Sequence, residues 1–335
     1  VHKKGIFAHS STQSLFFKII YNPHMPELPE VQTTVNGLKK TVVGHTITEV
    51  WTDLSKQAVS RPDFHDTIKY IPFFKKFSKD VVGKKIMSVE RRAKNILIHV
   101  EGNQTILIHL KMTGHLLYGK YEYNKKNNSW SVSPSEKNDA LRDPYNRFVH
   151  FVFSFNNGKH LVFCDSRKFG KITILNTENR HLSNHIKGLG PEIFDPSFDF
   201  KKFSSQINKK SNGKIKTVLM DQTILSGIGN IYSDEALWLS GIHPNSKISK
   251  VPEKDLKNLF QAVKTVLKNG IDFGGDSMSD YRRIDGTKGE FQNKHNAYRL
   301  IGKKCGRANC KGVIIKEVIG GRSAHFCNLH QKLFV

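Results

Sequence analysis

Three of the chain's four cysteines fall beyond position 304, and their spacing suits metal chemistry. Cys305 and Cys310 are separated by four residues, and Cys327 and His330 by two. Between the pairs lie two β-rich runs, Val313-Ile314-Ile315 and Ser323-Ala324-His325-Phe326, joined near Gly320-Gly321. Three soft thiolates and one imidazole at the open end of such a hairpin make a closed tetrahedral zinc site. No coordination position is left for water or substrate. The expected single Zn2+ is therefore structural, and its binding supplies folding energy to a segment too small for its own core. Cys164 lies in an apolar run and reads as a buried core thiol.

Two further segments carry unusual chemistry. In Gly227-Ile228-Gly229-Asn230-Ile231-Tyr232, glycines allow close backbone approach, and Asn230 suits the cap of a following helix. A helix N-terminus of that kind binds phosphate, although a glycine pair also marks an ordinary tight turn. Met25-Pro26-Glu27-Leu28-Pro29-Glu30 places two acids at a helix mouth, where the dipole favours negative charge. From spacing alone it reads as an ordinary helix start.

The elements that must position these groups follow from periodicity. Leu28, Val31, Val35, Leu38 and Val42 form one helical stripe, with Pro29 in the first turn and Gly44 as the stop. From Thr46 to about Leu175 the pattern is of strands: 95–100 and 105–110 form a hairpin, and 148–155 and 160–164 flank Asn156-Asn157-Gly158-Lys159. Short strands joined by turns predict a β-sandwich. Residues 123–146, rich in Lys, Asn and Ser, are expected to form a long surface loop. From Ser197 to about Gly270 the period is helical, and the Gly- and charge-rich 270–296 reads as a long mobile loop. The expected fold class is α+β multidomain. An extension of 1–24 precedes a helix and β-sandwich of 25–195, a helical part of 196–296 and a cysteine hairpin of 297–335.

The chain has 335 residues and a formal net charge of +24. Such an excess favours a polyanionic partner. No apolar run approaches the roughly 18 residues of a membrane span, and four cysteines in a chain this long exclude a disulfide scaffold. Residues 1–24 carry Lys3, Lys4 and Lys18 and no acid, so the basic excess belongs to the remainder. Their apolar stretch is broken by Lys18 and lacks the pattern of a secretory signal, while organellar targeting stays open. Otherwise a cytoplasmic, nucleoid-associated monomer is expected.

Met25-Pro26-Glu27-Leu28-Pro29-Glu30-Val31 resembles the start of the formamidopyrimidine-DNA glycosylase family. Further blocks follow in family order: Arg91-Arg92-Ala93-Lys94, His109-Leu110-Lys111-Met112-Thr113-Gly114, Asp165-Ser166-Arg167-Lys168-Phe169-Gly170, Leu189-Gly190-Pro191-Glu192, Gly227 to Glu235, and Gly320-Gly321-Arg322-Ser323. The resemblance implies a helix and β-sandwich domain, a helix–two-turn–helix domain with a mobile lesion loop, and a zinc hairpin. The implied partner is double-stranded DNA with oxidised bases or abasic sites. The implied activity is excision of oxidised purines (8-oxoguanine and formamidopyrimidines) followed by strand cutting through β,δ-elimination.

It also implies roles. Pro26 resembles the amine nucleophile, Glu27 the general acid/base, Lys94 the proton donor for β-elimination and Arg322 that for δ-elimination. Met112, Arg167 and Phe169 resemble the trio that fills the gap left by a flipped base, with Arg167 facing the orphaned cytosine. Lys216 and Asn230 match phosphate-gripping positions, and His150 a DNA contact. Structural alternatives stand beside these roles: Lys94 as a solvated strand-end lysine, Lys216 as merely one of 53 basic residues, Met112 and Phe169 as core, Arg322 as a turn residue.

The chain departs from the family pattern in four places. The first cysteine pair is wide and His330 replaces a cysteine; Ser166 stands where proline is common; the 123–146 segment is long; and the Met25 motif is internal. A proline within a chain has no free amine, so residues 1–24 are expected to be absent from the active protein. Two rival functions remain. One is an endonuclease VIII-type glycosylase for oxidised pyrimidines, against which stand Leu28 and Arg167-Lys168-Phe169. The other is a non-catalytic damaged-DNA-binding protein, which follows if Pro26 is never N-terminal.

Overall fold

The computed structural model describes residues 25–55 and 64–335, so the expectation for residues 1–24 lies outside the described residues. The first helix, α1 (Leu28–Thr41), begins at a capping box: the Glu27 N–H donates to Glu30 Oε2 at 2.8 Å. Its stripe divides between two cores. Leu28 packs with the helical part, while Val31, Val35, Leu38 and Val42 pack into the β-sandwich. The helix ends at Val42, and Gly44 turns the chain with a φ of +87°.

Two antiparallel four-stranded sheets then form from β1 (Ile47–Thr52), β2 (Ile86–Arg92), β3 (Asn95–Val100), β4 (Gln104–His109), β5 (His115–Gly119), β8 (Val149–Phe155), β9 (His160–Cys164) and β10 (Lys171–Asn176). Their orders are β1-β8-β9-β5 and β10-β4-β3-β2. Ile96, Ile98, Ile106 and Ile108 meet Phe151, Phe153 and Phe163 between the layers. Cys164 is a fully buried thiol, as its apolar run implies.

The strand-rich stretch also contains a helix that the periodic reading misses, α2 (Ile71–Val81). Phe77 and Val81 are buried on it, and Phe77 meets the Phe151 ring edge-on at 5.9 Å. The expected 123–146 loop is likewise structured. It holds a hairpin of β6 (Tyr121–Asn124) and β7 (Ser129–Val132), then two capped 3-10 turns at Asp139–Arg142 and Pro144–Arg147.

The helical part comprises α3 (Phe200–Asn208), α4 (Ile215–Leu219), α5 (Asn230–Ser240) and α6 (Glu253–Asp272). α5 is buried over Ile231–Trp238, on all sides. After α6 the segment expected to form a long mobile loop packs inward, with Asp276, Ser277, Asp280 and Arg282 all buried. The chain closes with β11 (Ile314–Ile319) and β12 (Arg322–Cys327), joined by a two-residue turn in which Gly320 and Gly321 both have positive φ. No helix among the described residues is long and apolar enough to cross a membrane.

Candidate active site and metal centre

Glu27 sits where two helices meet. It is the N-cap of α1, and its Oε1 accepts the Ile231 N–H of α5 at 2.9 Å. The glycines before α5 permit this contact. A Cβ on Gly229 would lie 2.3 Å from Glu27 Cδ, and one on Gly227 would lie 2.7 Å from Leu28 Cδ1. The helix N-terminus expected to hold a phosphate is thus turned toward Glu27, and the segment serves to dock α1. Burial raises the Glu27 pKa, against the pull of the Lys94 charge and of backbone N–H groups.

Lys94 stands on a two-residue turn between β2 and β3, with Arg92 facing Asn95. Its neighbour Ala93 has a φ of 55°, a strained conformation for a residue with a Cβ. Glu192 holds that turn. Its Oε1 accepts from the Ala93 N–H at 2.5 Å and from Arg92 Nη1 at 2.9 Å, and its Oε2 pairs with Arg91 at 2.6 Å. Arg92 also donates to the Leu189 and Gly190 carbonyls at 2.9 and 2.8 Å. Two blocks whose Arg92 and Glu192 are 100 residues apart therefore build one support. Burial lowers the Lys94 pKa, opposed by the charges of Glu27 and Glu30.

Glu27, Lys94, Met112, Asn230 and Arg322 line one cavity of about 370 Å3, together with Met25. Pro26, buried, joins Met25 to Glu27. Arg322 is exposed at the β11–β12 turn, which rests against Thr217 of α4. Met220, Gln222 and Tyr298 also line this cavity; nothing in their spacing marks them beforehand. A larger cleft of about 640 Å3 between α1 and α6 mixes Lys40, Arg283, Asp272 and Glu290 and gathers none of these groups.

Arg167 and Phe169 project from an exposed loop, with the guanidinium 4.8 Å from the ring centroid. Buried Asp165 ties this loop to that of Met112. It accepts from Thr113 Oγ1, from the Gly170 N–H at 2.7 Å and from the Arg167 N–H at 3.3 Å. Gly114 and Gly170 both lie against the Phe163 ring, so the two loops share one floor.

Two expected DNA contacts are placed otherwise. Lys216 has no exposed surface: its ammonium is paired with equally buried Asp234 and sits 3.3 Å from Ser233 Oγ. An ion sealed in this way has no face for a phosphate, so the phosphate-gripping expectation is corrected. His150 is 8% exposed, and its Nδ1 lies 2.9 Å from Asp53 Oδ2. It braces β8 against the end of β1 rather than presenting a ring to solvent.

The ligand atoms of Cys305, Cys310, Cys327 and His330 all lie within 4.8 Å of one another. Cys310 and Cys327 are 3.6 Å apart through sulfur, well beyond a disulfide bond. The donor set fits a metal. Gly312 N–H points at Cys310 Sγ (3.4 Å), Leu329 N–H at Cys327 Sγ (3.5 Å) and the Trp238 indole at Cys305 Sγ (3.3 Å). His330 turns Nδ1 to the cluster and Nε2 to the Trp238 carbonyl at 3.0 Å, which fixes its tautomer.

The sequence profile of the formamidopyrimidine-DNA glycosylase N-terminal domain matches residues 25–172, and that of the corresponding H2TH domain matches 189–282. The formamidopyrimidine-DNA glycosylase of Heliobacterium modesticaldum is 36% identical over 311 residues, covering 92% of this chain and 100% of that protein. That of Herpetosiphon aurantiacus is 34% identical over 307 residues, with the same coverage of each. Among solved structures, the Lactococcus lactis Fpg bound to abasic-site DNA aligns with a TM-score of 0.74 at 29% identity, covering 91% of this chain and 99% of that one. The wild-type L. lactis enzyme with DNA containing N7-benzyl-Fapy-dG also gives 0.74 at 29% identity, covering 92% and 100%. Profile, full-length relatives and fold agree: the chain belongs to the formamidopyrimidine-DNA glycosylase family.

Proposed function

We propose that this protein is a bifunctional DNA glycosylase and abasic-site lyase of base-excision repair that acts on oxidised purines in duplex DNA. The observation that carries this reading is the single cavity where Glu27, Lys94 and Arg322 converge beside Pro26. Residues 25–195 supply the chemistry, 196–296 the helical DNA-binding part, and 297–335 the hairpin that delivers Arg322.

In the reaction, a free Pro26 amine attacks the sugar C1′ as the C1′–base bond breaks, loss of the amine proton leaves a neutral aminal, and this becomes a cationic iminium when its C1′–O4′ bond breaks. Glu27, which burial favours in its protonated form, protonates the ring oxygen as the sugar opens. The iminium then draws electrons for elimination of the 3′ phosphate, with Lys94 serving proton transfer, and Arg322 serves the second elimination of the 5′ phosphate. Met112, Arg167 and Phe169 fill the gap in the duplex, and Asn230 meets the backbone at the cavity wall. The Cys305, Cys310, Cys327 and His330 group holds one structural zinc, which supplies folding energy and no chemistry.

Within the chain the Pro26 nitrogen is an amide to Met25, its lone pair in resonance, and it does not attack. The active form therefore begins at Pro26; the family profile itself starts matching at residue 25. Borohydride should trap a covalent adduct between 8-oxoguanine duplex and protein starting at Pro26, and none with protein retaining residues 1–25. Equal trapping by the longer form, its N-terminus verified intact, would overturn Pro26 as nucleophile.

A further inference from the structure

The segment 133–147, unaccounted for by the chemistry above, docks against 276–288. Arg282 is the centre of the contact and is 1% exposed. Its Nη2 donates to Asp143 Oδ1 at 3.1 Å, its Nε lies 3.1 Å from Asp143 Oδ2, and its guanidinium stacks 4.7 Å from the Tyr145 ring centroid. Through Nη1 it also donates to the Ser279 and Tyr281 carbonyls at 2.7 and 2.8 Å, which curls its own segment around it. Asp143 is held for the task, since the same Oδ1 accepts the Tyr145 N–H at 2.9 Å.

The contact continues along both partners. Asn138 Nδ2 donates to the Asp285 carbonyl at 2.7 Å. Gly286 lies so close to Ala140 that a Cβ there would come within 2.6 Å of its carbonyl. The Ile284 carbonyl accepts the Tyr118 N–H at 2.9 Å, so the segment also covers the edge strand β5. From there 276–281 reaches the catalytic helix. The Asp276 N–H donates to Glu30 Oε1 at 2.8 Å, and the Tyr281 hydroxyl to the Glu30 carbonyl at 3.1 Å. Glu30 Oε2 in turn accepts the N–H of Glu27. A second tie reaches the loop that carries Arg167 and Phe169, where Ser166 Oγ donates to Asp280 Oδ1 at 3.1 Å.

The geometry points to 138–145 as an internal clamp, with Asp143, Tyr145 and Arg282 as positioning residues that order 276–288 before DNA arrives and so fix Glu30 and Glu27. Its mechanical part is independent of the enzymatic reading; its kinetic part rests on that reading.

Hydrogen exchange on the DNA-free full chain tests the first part. Asp143→Ala should speed exchange of amides 276–289 at least tenfold and leave β11–β12 unchanged. Tyr145→Leu, at an exposed position, should do the same more weakly and serves where Asp143→Ala misfolds. Single-turnover base release by the Pro26-starting form tests the second. Asp143→Ala should slow release about tenfold with little change in half-saturating DNA concentration, and Asp143→Glu should recover most of the rate. Unchanged exchange at 276–289 in both folded variants overturns the clamp. Faster exchange with an unchanged release rate overturns the positioning role. If the unsubstituted protein releases no base, the enzymatic reading fails, while exchange still decides the clamp.

Discussion

Glu30 accepts hydrogen bonds from the Glu27 and Asp276 N–H groups and from the Tyr232 hydroxyl, which would ordinarily favour a carboxylate. Burial, and then the neighbouring Glu27 carboxyl, outweigh them and push its pKa from 4.5 up to about 8. The folded protein therefore keeps a proton that the unfolded chain has released between those two values. The associated stability is fully present below about 4.5 and is lost as pH rises through about 8. Glu30→Gln, always neutral, removes this dependence. Urea-unfolding free energies of parent and variant, compared at pH 5 and pH 9, should shift in the variant's favour by at least about 1.4 kcal/mol, the equivalent of one pKa unit. A difference that stays constant with pH would mean that Glu30 is ionised in the fold. Glu30 was visible in the sequence only as a second acid at a helix mouth. Its burial depends on Tyr232 and Asp276, more than 200 residues away, and no local pattern records such partners. Glu192 was hidden in the same way, although its block was plain to see.

At the scale of elements, α5 is the common strut. Its first turn meets Glu27, its Asp234 pairs with Lys216 and accepts from His325 of β12, and its Trp238 touches both Cys305 and His330. The hairpin that carries Arg322 is thus tied to α5 at its middle by Asp234 and at its base by Cys305 and His330. Its own apolar groups are small: Ile319, Ala324 and Phe326 in one, and Ile314 with the cysteines and Trp238 in another. Cores of that size do not hold a segment alone. With the proposed zinc at Cys305, Cys310, Cys327 and His330, treatment with a strong chelator should open 305–330 to trypsin at Arg307 and Arg322 and abolish the second elimination. The β-sandwich should keep its unfolding midpoint. Continued resistance at Arg322 in metal-free protein would show that Asp234 and α5 suffice. The hairpin was legible because ligand spacing and β-rich runs coincide in one short stretch. α2 was not, although Phe73, Phe74, Phe77 and Val81 keep helical spacing, because it is a short run set among strands. The β6–β7 hairpin was hidden by its polar residues, although Tyr121 and Tyr123 opposite Val132 and Trp130 do alternate.

The two largest cores of the described residues are joined along α1, with the acid at that helix's N-cap reaching into the seam. That arrangement could be read in outline from the change of period near Ser197, while the net charge of +24 pointed only to a polyanionic partner. The cations that meet DNA could not, because composition counts buried and exposed charges alike. Lys216 shows the difference. A cation fully enclosed with its own carboxylate is neutralised inside the protein and releases no counterion when DNA binds. Each phosphate neutralised by an exposed cation contributes about −0.9 to the slope of log K against log salt; Lys216 should contribute nothing. Removing it does leave Asp234 buried beside His325 without its ammonium, and breaking a buried pair from one side costs about 3–5 kcal/mol. Lys216→Ala is therefore expected to lower unfolding stability by that amount, measured by urea denaturation. The salt slope for undamaged duplex, measured below the variant's unfolding range, should stay at the parent value. A slope shallower by about one unit, with stability intact, would return Lys216 to the DNA-contacting surface and require the loop between α4 and α5 to open on binding.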